Sequence, residues 1–86
     1  MTDRKYRVET EQVSTPGVID AKESNAIMFI NKGTATAEID GAPITFNEFL
    51  SHGGNENEIN VSRYRITWVT PGTQLVIVQR KFYVTQ

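Results

Sequence analysis

The stretch Arg63-Tyr64-Arg65-Ile66-Thr67-Trp68-Val69-Thr70-Pro71-Gly72-Thr73-Gln74-Leu75-Val76-Ile77-Val78-Gln79-Arg80-Lys81-Phe82-Tyr83 decides the fold class. Tyr64, Ile66 and Trp68 alternate with polar neighbours before Pro71-Gly72, and a run of β-branched residues follows it. A period of two belongs to a strand, because successive side chains point to opposite faces. The stretch therefore reads as two long strands around a Pro-Gly turn. With Thr70 and Thr73 flanking the turn, Trp68 faces Leu75, Ile66 faces Ile77 and Tyr64 faces Gln79 on one side of the pair. The opposite side sets Arg63, Arg65, Thr67 and Val69 against Arg80, Val78, Val76 and Gln74. A type II Pro-Gly turn is not the favoured two-residue hairpin turn, so the reading allows a bulge or a one-residue slip. A slip changes partners, not the alternation within each strand.

The rest of the chain agrees with this. Thr34 to Ile39 alternates, with Ala35, Ala37 and Ile39 on one face and Thr34, Thr36 and Glu38 on the other. Asp40-Gly41 then supplies the two residues that a type I′ hairpin turn requires. The chain returns through Ile44 and Phe46, and Pro43, which lacks an N–H, places that return at an edge or near a bulge. Ala26 to Asn31 is an apolar run of strand length. Tyr6 to Val13 reads as an edge strand whose flanking charges Arg4, Lys5, Arg7, Glu9 and Glu11 discourage edge-to-edge pairing. Ser14-Thr15-Pro16-Gly17 is a turn, Val18-Ile19 starts a short strand, and Asp20 to Asn25 is a polar connection. After Phe49-Leu50, the run Ser51-His52-Gly53-Gly54-Asn55-Glu56-Asn57-Glu58 has no pattern and reads as an exposed, mobile loop. Ile59 and Val61 are expected to bring the chain back to the sheet. No window shows a 3.6-residue apolar period, so no helix is expected. Short strands with turn signals every 8 to 12 residues predict an all-β fold, a small antiparallel β-sandwich or barrel of jelly-roll kind. Residues 1–86 make one domain.

Composition narrows the chemistry. A chain of 86 residues buries roughly two-thirds of its unfolded surface, so its core is thin. Small domains compensate with disulfides, metals or oligomerisation. The chain has no cysteine and one histidine, His52, which leaves oligomerisation. Nine basic and ten acidic residues nearly cancel, which argues against a dedicated nucleic-acid binder. The charged segment Met1 to Arg7 leads into no apolar stretch, so no signal peptide is expected. The longest apolar runs, Ala26 to Ile30 and Leu75 to Val78, are too short to span a bilayer, and no membrane association is predicted.

Each candidate for chemistry has a plainer reading. Ser51 and His52 are adjacent, so on a strand they point apart and cannot exchange a proton. Asn55, Glu56, Asn57 and Glu58 offer oxygen ligands without the spacing of a calcium loop. Gly53-Gly54 lacks the lysine and helix of a phosphate loop. Arg63, Arg65, Arg80 and Lys81 near Tyr64, Phe82 and Tyr83 could form a platform for single-stranded nucleic acid, but the balanced net charge favours a solvated or intersubunit face. Trp68 could stack on a sugar, yet it alternates with Ile66 on the face read as core. Asn60-Val61-Ser62 matches a glycosylation sequon and carries little weight without a secretory signal. The predicted ribbon is apolar on both sides, since Val69, Val76 and Val78 lie opposite Trp68 and Ile66. Such a ribbon is covered on both sides. The predicted contact residues with a neighbouring subunit are therefore Arg63, Arg65, Val76, Val78 and Arg80. No catalytic residue, metal or cofactor is expected.

The segment Ile30 to Gly41, with its Asn31-Lys32-Gly33 turn and alternating strand, together with Ser62 to Trp68, resembles small β-sandwich proteins encoded among the structural genes of tailed phages of Bacteroidetes hosts. The likeness covers roughly residues 26 to 83. It departs at Asn47-Glu48, where a Pro-Gly step is common. The resemblance implies a virion accessory protein, such as a capsid decoration, fibre-base or connector component. Such a protein packs against copies of itself and a larger shell protein and carries no catalytic residues. It implies a place in the virion; without it, a soluble cytoplasmic protein is expected. The alternatives from the residues are a carbohydrate- or host-surface-binding module, with residues 51 to 58 as rim, and a small single-stranded nucleic-acid binder.

Overall fold

A computed structural model describes residues 5–84; Met1 to Arg4, part of the charged N-terminal reading, lie outside them. The elements are β1 (Tyr6–Val13), β2 (Gly17–Asp20), β3 (Ala26–Asn31), β4 (Ala37–Ile39), β5 (Ala42–Ile44), β6 (Phe49–Gly53), β7 (Arg63–Trp68) and β8 (Val76–Tyr83). They form two four-stranded sheets, ordered β1-β8-β3-β6 and β2-β7-β4-β5. The pairs β1–β8, β2–β7, β3–β6 and β4–β5 are all antiparallel and nested. Four strands run out, four run back, and the resulting ribbon folds over on itself. That is the eight-stranded jelly roll.

The local readings hold where the signal is local. Asp40 and Gly41 sit at φ 51° and 86° between Ile39 and its partner Ala42, as a type I′ turn demands. Pro43 lies on the edge strand β5. β1 is an edge strand over the expected residues.

The long-range pairing of the opening stretch differs. β7 and β8 are not a hairpin. β7 pairs with β2 and β4, while β8 pairs with β1 and β3 in the other sheet. Residues 69–75 form an arch from one sheet to the other. A second arch, residues 32–36, crosses between β3 and β4 beside it. Backbone bonds tie the two together: Lys32 N and Gly33 N donate to Leu75 O at 2.9 and 3.1 Å, Ala35 N to Thr73 O at 3.0 Å, and Val69 N to Thr36 O at 3.0 Å. Two threonines supply side-chain acceptors, Thr34 Oγ1 to Thr73 N and Thr70 Oγ1 to Thr36 N, each at 2.8 Å. These bonds satisfy backbone groups that leave their ladders at the crossing.

Because the two strands lie in facing sheets, each buries one face of its own. Ile27 and Phe29 of β3 and Val76 and Val78 of β8 meet Ala37, Ile39, Ile44, Tyr64 and Ile66 from the opposite sheet, with Ile19 and Ala21 at the side. Phe29 and Tyr64 meet edge to face at 5.1 Å across the layers. Trp68 packs against this cluster. Asn31 is the polar member of the interior. Its Nδ2 donates to Ala35 O and Ile44 O, both at 2.8 Å, and its Oδ1 accepts from Gly33 N at 2.9 Å. Every hydrogen-bonding atom of that amide group has a partner. The Asn-Lys-Gly signature is thus a device that fastens the β3–β4 arch to the end of β5.

Candidate interaction surface

The register of the sheets decides what each outer face presents. On the β1-β8-β3-β6 sheet three rows face outward: Val8, Lys81, Ala26 and Gly53; Thr10, Gln79, Met28 and Ser51; Gln12, Ile77, Ile30 and Phe49. Tyr6 and Tyr83 extend the face at one end. Among these fourteen described positions Lys81 is the one charge. Its ammonium lies over the rings of Tyr6 and Tyr83, at 4.3 and 5.0 Å from their centroids. The cation is held at the rim by the ring faces while its stem covers apolar surface. Phe49 is 64% exposed, and Tyr6 and Val8 are exposed beside it. Met28, Ile30 and Ile77 are half-buried.

The other sheet is the reverse. Its outward positions include Asp20, Glu38, Arg63 and Arg65, with Val18, Thr67 and Pro43 between them. Arg63 Nε stands 3.7 Å from Asp20 Oδ2, and Arg65 N donates to Asp40 Oδ1 at 2.8 Å. Charges of both signs on one face make a solvated surface.

The five predicted contact residues fall on different surfaces. Arg63 and Arg65 are exposed on the charged sheet. Val76 and Val78 are 0% exposed inside the single chain, so they do not form an outer face. Arg80 is 2% exposed. Its Nη1 meets Glu11 at 2.9 Å and its Nε donates to Asp20 O at 2.9 Å, closing the side of the sandwich between β1 and β2. Because β7 and β8 lie in different sheets, the expected ribbon apolar on both sides does not form. The four cations of the supposed nucleic-acid platform are likewise apart, with Arg80 inside and Lys81 on the opposite face from Arg63 and Arg65.

The stretch read as a mobile loop is partly strand. Ser51, His52 and Gly53 belong to β6, paired with Met28, Ile27 and Ala26. Gly54, Asn55, Glu56 and Asn57 are exposed but fastened. Asn25 Nδ2 donates to Glu56 O and Glu58 O at 3.2 and 2.8 Å, Gly54 N donates to Asn25 O, and Asn57 N donates to Asn55 Oδ1. Ile59 and Val61 do not return to the sheet as expected. Both are exposed, and the backbone there is held by the bridge between Ser24 and Asn60. His52 stacks on Tyr64 with centroids 5.4 Å apart, and Asn60 Nδ2 donates to Tyr64 Oη at 2.8 Å. This end of the sandwich opens as a cleft of about 380 Å³ lined by His52, Glu58, Ile59, Asn60 and Tyr64.

Among the described residues, no three His, Asp or Glu side chains converge as a metal-ligand set. No helix there is long and apolar enough to cross a membrane. Sequence reasoning missed the outward set Val8, Met28, Ile30, Phe49 and Ile77, because it needs knowledge of which strands are neighbours. Comparison of the chain with protein-family models, with curated proteins and with solved structures found no match in any of the three.

Proposed function

We propose that this chain is a non-enzymatic assembly protein, a virion accessory component of a tailed phage that self-associates and binds a larger shell or connector protein. One observation carries the reading: a single small domain presents one solvated face and one face of fourteen positions with a single charge. Exposed Tyr6, Val8 and Phe49 gathered on one face with half-buried Met28, Ile30 and Ile77 and uncharged polar groups between them are the mixture found at protein contacts. The jelly roll supports the setting by analogy, since viral capsid and lectin domains share it, and fold by itself does not decide function. The mechanism is burial of that face, with the polar groups of Thr10, Gln12, Gln79 and Ser51 satisfied at the contact. The test is a protein inventory of purified particles of the phage that encodes the chain. Fixed stoichiometry with the shell protein supports the proposal, and absence from the particles refutes it.

The cleft beside His52 favours a second reading, a module for host-surface carbohydrate. It offers an aromatic stack together with amide and carboxylate groups, the mixture that holds a sugar. Glycan-array binding that is lost in His52→Ala supports it. A blank array removes it.

A further inference from the structure

The apolar face carries a relief as well as a charge pattern. At one end the outward row contains the small residues Ala26 and Gly53, and Ser51 follows in the next row. There the surface sinks into a hollow of about 300 Å³ lined by Val8, Ala26, Met28, Ser51, Gln79 and Lys81. The hollow is fixed by the backbone. Gly53 has φ +89°, and a Cβ there would stand 2.5 Å from Asn25 O. At the other end the row Gln12, Ile77, Ile30 and Phe49 carries larger side chains, with Ile77 and Ile30 half-buried and Phe49 64% exposed.

We infer that this face docks a second copy of the chain, with Phe49 of each copy seated in the Ala26–Gly53 hollow of the other. The inference rests on the assembly reading and names its first contact. A closed two-fold contact needs a surface complementary to itself. Here the hollow and the exposed Phe49 lie on opposite sides of the central row Thr10, Gln79, Met28 and Ser51. A two-fold axis in the plane of contact, crossing the strands at that row, lays each Phe49 over the partner's hollow.

Charge and area fit this occupant. Lys81 is one row from the axis, two residues along its strand, so the two lysine backbones are about 13 Å apart along the strands, and each ammonium lies over Tyr6 and Tyr83, on the side away from the axis. Net charge of −1 adds no strong repulsion between copies. Seven residues each of β1 and β8 and five each of β3 and β6, at about 3.3 Å by 4.8 Å per residue, give a projected face of roughly 380 Å² per copy. A pair covers about 760 Å² in projection, and side-chain relief carries the accessible area toward the roughly 1,200 Å² of small specific interfaces. Two such faces meet as sheets do in a sandwich, about 10 Å apart with aligned strands.

The test is light scattering after size exclusion on the pure chain at about 100 μM, well above a micromolar Kd. The expected mass is twice 9.7 kDa. Phe49→Glu returns it to the single-chain mass, and Arg65→Glu on the charged face leaves it doubled. The chain has no cysteine, so Met28→Cys, next to the axis, gives a second measurement that leaves the core intact. A short bis-maleimide joins two Met28→Cys copies and fails to join two Arg65→Cys copies. A single-chain mass for the unaltered protein overturns the inference, as does a dimer that survives Phe49→Glu and is not joined at Met28→Cys. Either result leaves the assembly reading to the particle inventory, which is independent of self-contact.

Discussion

Gly33→Ala is the sharpest test of the two-arch crossing. The added Cβ would lie 2.1 Å from Thr73 O and 2.8 Å from Leu75 N. Both are backbone atoms of the 69–75 arch, so no side chain can rotate away. Gly33 has no positive φ, so the cost is steric and not conformational. Relief requires the arches to separate, which overpacking data put at about 1–3 kcal/mol. Separation also weakens the bonds of Gly33 N to Leu75 O and Ala35 N to Thr73 O, each worth about 0.5–1.5 kcal/mol. A loss of about 3 kcal/mol follows, against a total of roughly 4–13 kcal/mol for a chain of this length. The assay is urea unfolding followed by the emission of Trp68, which is partly buried against the core. With a slope of about 1–1.5 kcal/mol per molar, the midpoint falls by about 2–3 M. Two other glycines calibrate the result. Gly41→Ala meets nothing within 4 Å but must hold φ +86°, and costs about 1 kcal/mol. Gly17→Ala meets nothing and has no positive φ, so it is neutral or stabilising by about 0.5 kcal/mol. A Gly33→Ala midpoint within about 0.3 M of the parent would refute the crossing. It would mean that residues 32–36 form a free turn and that β7 and β8 lie together as a hairpin.

Val78→Ala, at a site with no exposure, is expected to cost about 2 kcal/mol in the same urea assay, while Val69→Ala, on the exposed start of the arch, stays within about 0.5 kcal/mol. Asn31→Asp removes the two donors serving Ala35 O and Ile44 O and buries a carboxylate among carbonyls. Its destabilisation of about 3 kcal/mol or more at pH 7 shrinks as the pH falls and the acid becomes neutral, which urea midpoints across pH 4 to 8 would show. Glu48 accepts hydrogen bonds from Thr45 Oγ1 and Thr45 N at 2.6 and 2.7 Å, and these hold its pKa below the ordinary 4.5. A carboxyl whose folded pKa is depressed stabilises the fold above its unfolded pKa, and that contribution is lost as pH falls through the folded value. Carboxyl NMR titration should therefore give a Glu48 midpoint below 4.5 that rises when Thr45 is replaced by Val.

What the sequence disclosed depended on the range of each signal. Asp40-Gly41 is read correctly because a type I′ turn is settled by the two residues that form it. Pro43 marks an edge because a missing N–H acts within its own strand. Thr34 to Ile39 shows its buried face, Ala35, Ala37 and Ile39, although only Ala37–Ile39 is laddered as strand. Pro71-Gly72 misleads because alternation within a strand is the same whether the next strand is a ladder partner or belongs to the facing sheet. The outer apolar face was hidden for the same reason. Tyr6, Ile77, Met28 and Phe49 come from four strands spread over most of the chain, and only the order β1-β8-β3-β6 makes them one surface. Asn25 and Asn31 were passed over because a buried amide looks like a turn residue until its partners are known.

A trace of the crossing was nevertheless present in the sequence, as a conflict of parity. Setting Trp68 against Leu75 puts the apolar positions of the first strand, Tyr64 and Ile66, on one side, and Val76 and Val78 on the other, opposite Arg65 and Thr67. In a two-stranded ribbon with one buried face, both strands must bury the same side, so a one-residue slip inverts one of them completely. The mismatch can be resolved by covering both sides of the ribbon, which brings in a neighbouring subunit. It can also be resolved by letting the strands part, each turning its own apolar parity inward from a separate sheet. The second solution needs no partner, and it has a cost that the chain meets locally. The backbone of residues 69–75 leaves its ladder and must find other bonds, and it finds them on the backbone of residues 32–36 and the hydroxyl of Thr34, while the Thr70 hydroxyl accepts from Thr36 N in return. Apolar residues mismatched across a turn, with threonines at the turn and an Asn-x-Gly elsewhere, therefore point to an arch before they point to an interface. The need for a partner then has to be argued from the surface that remains uncovered, the outward rows of Met28, Ile30, Ile77 and Phe49.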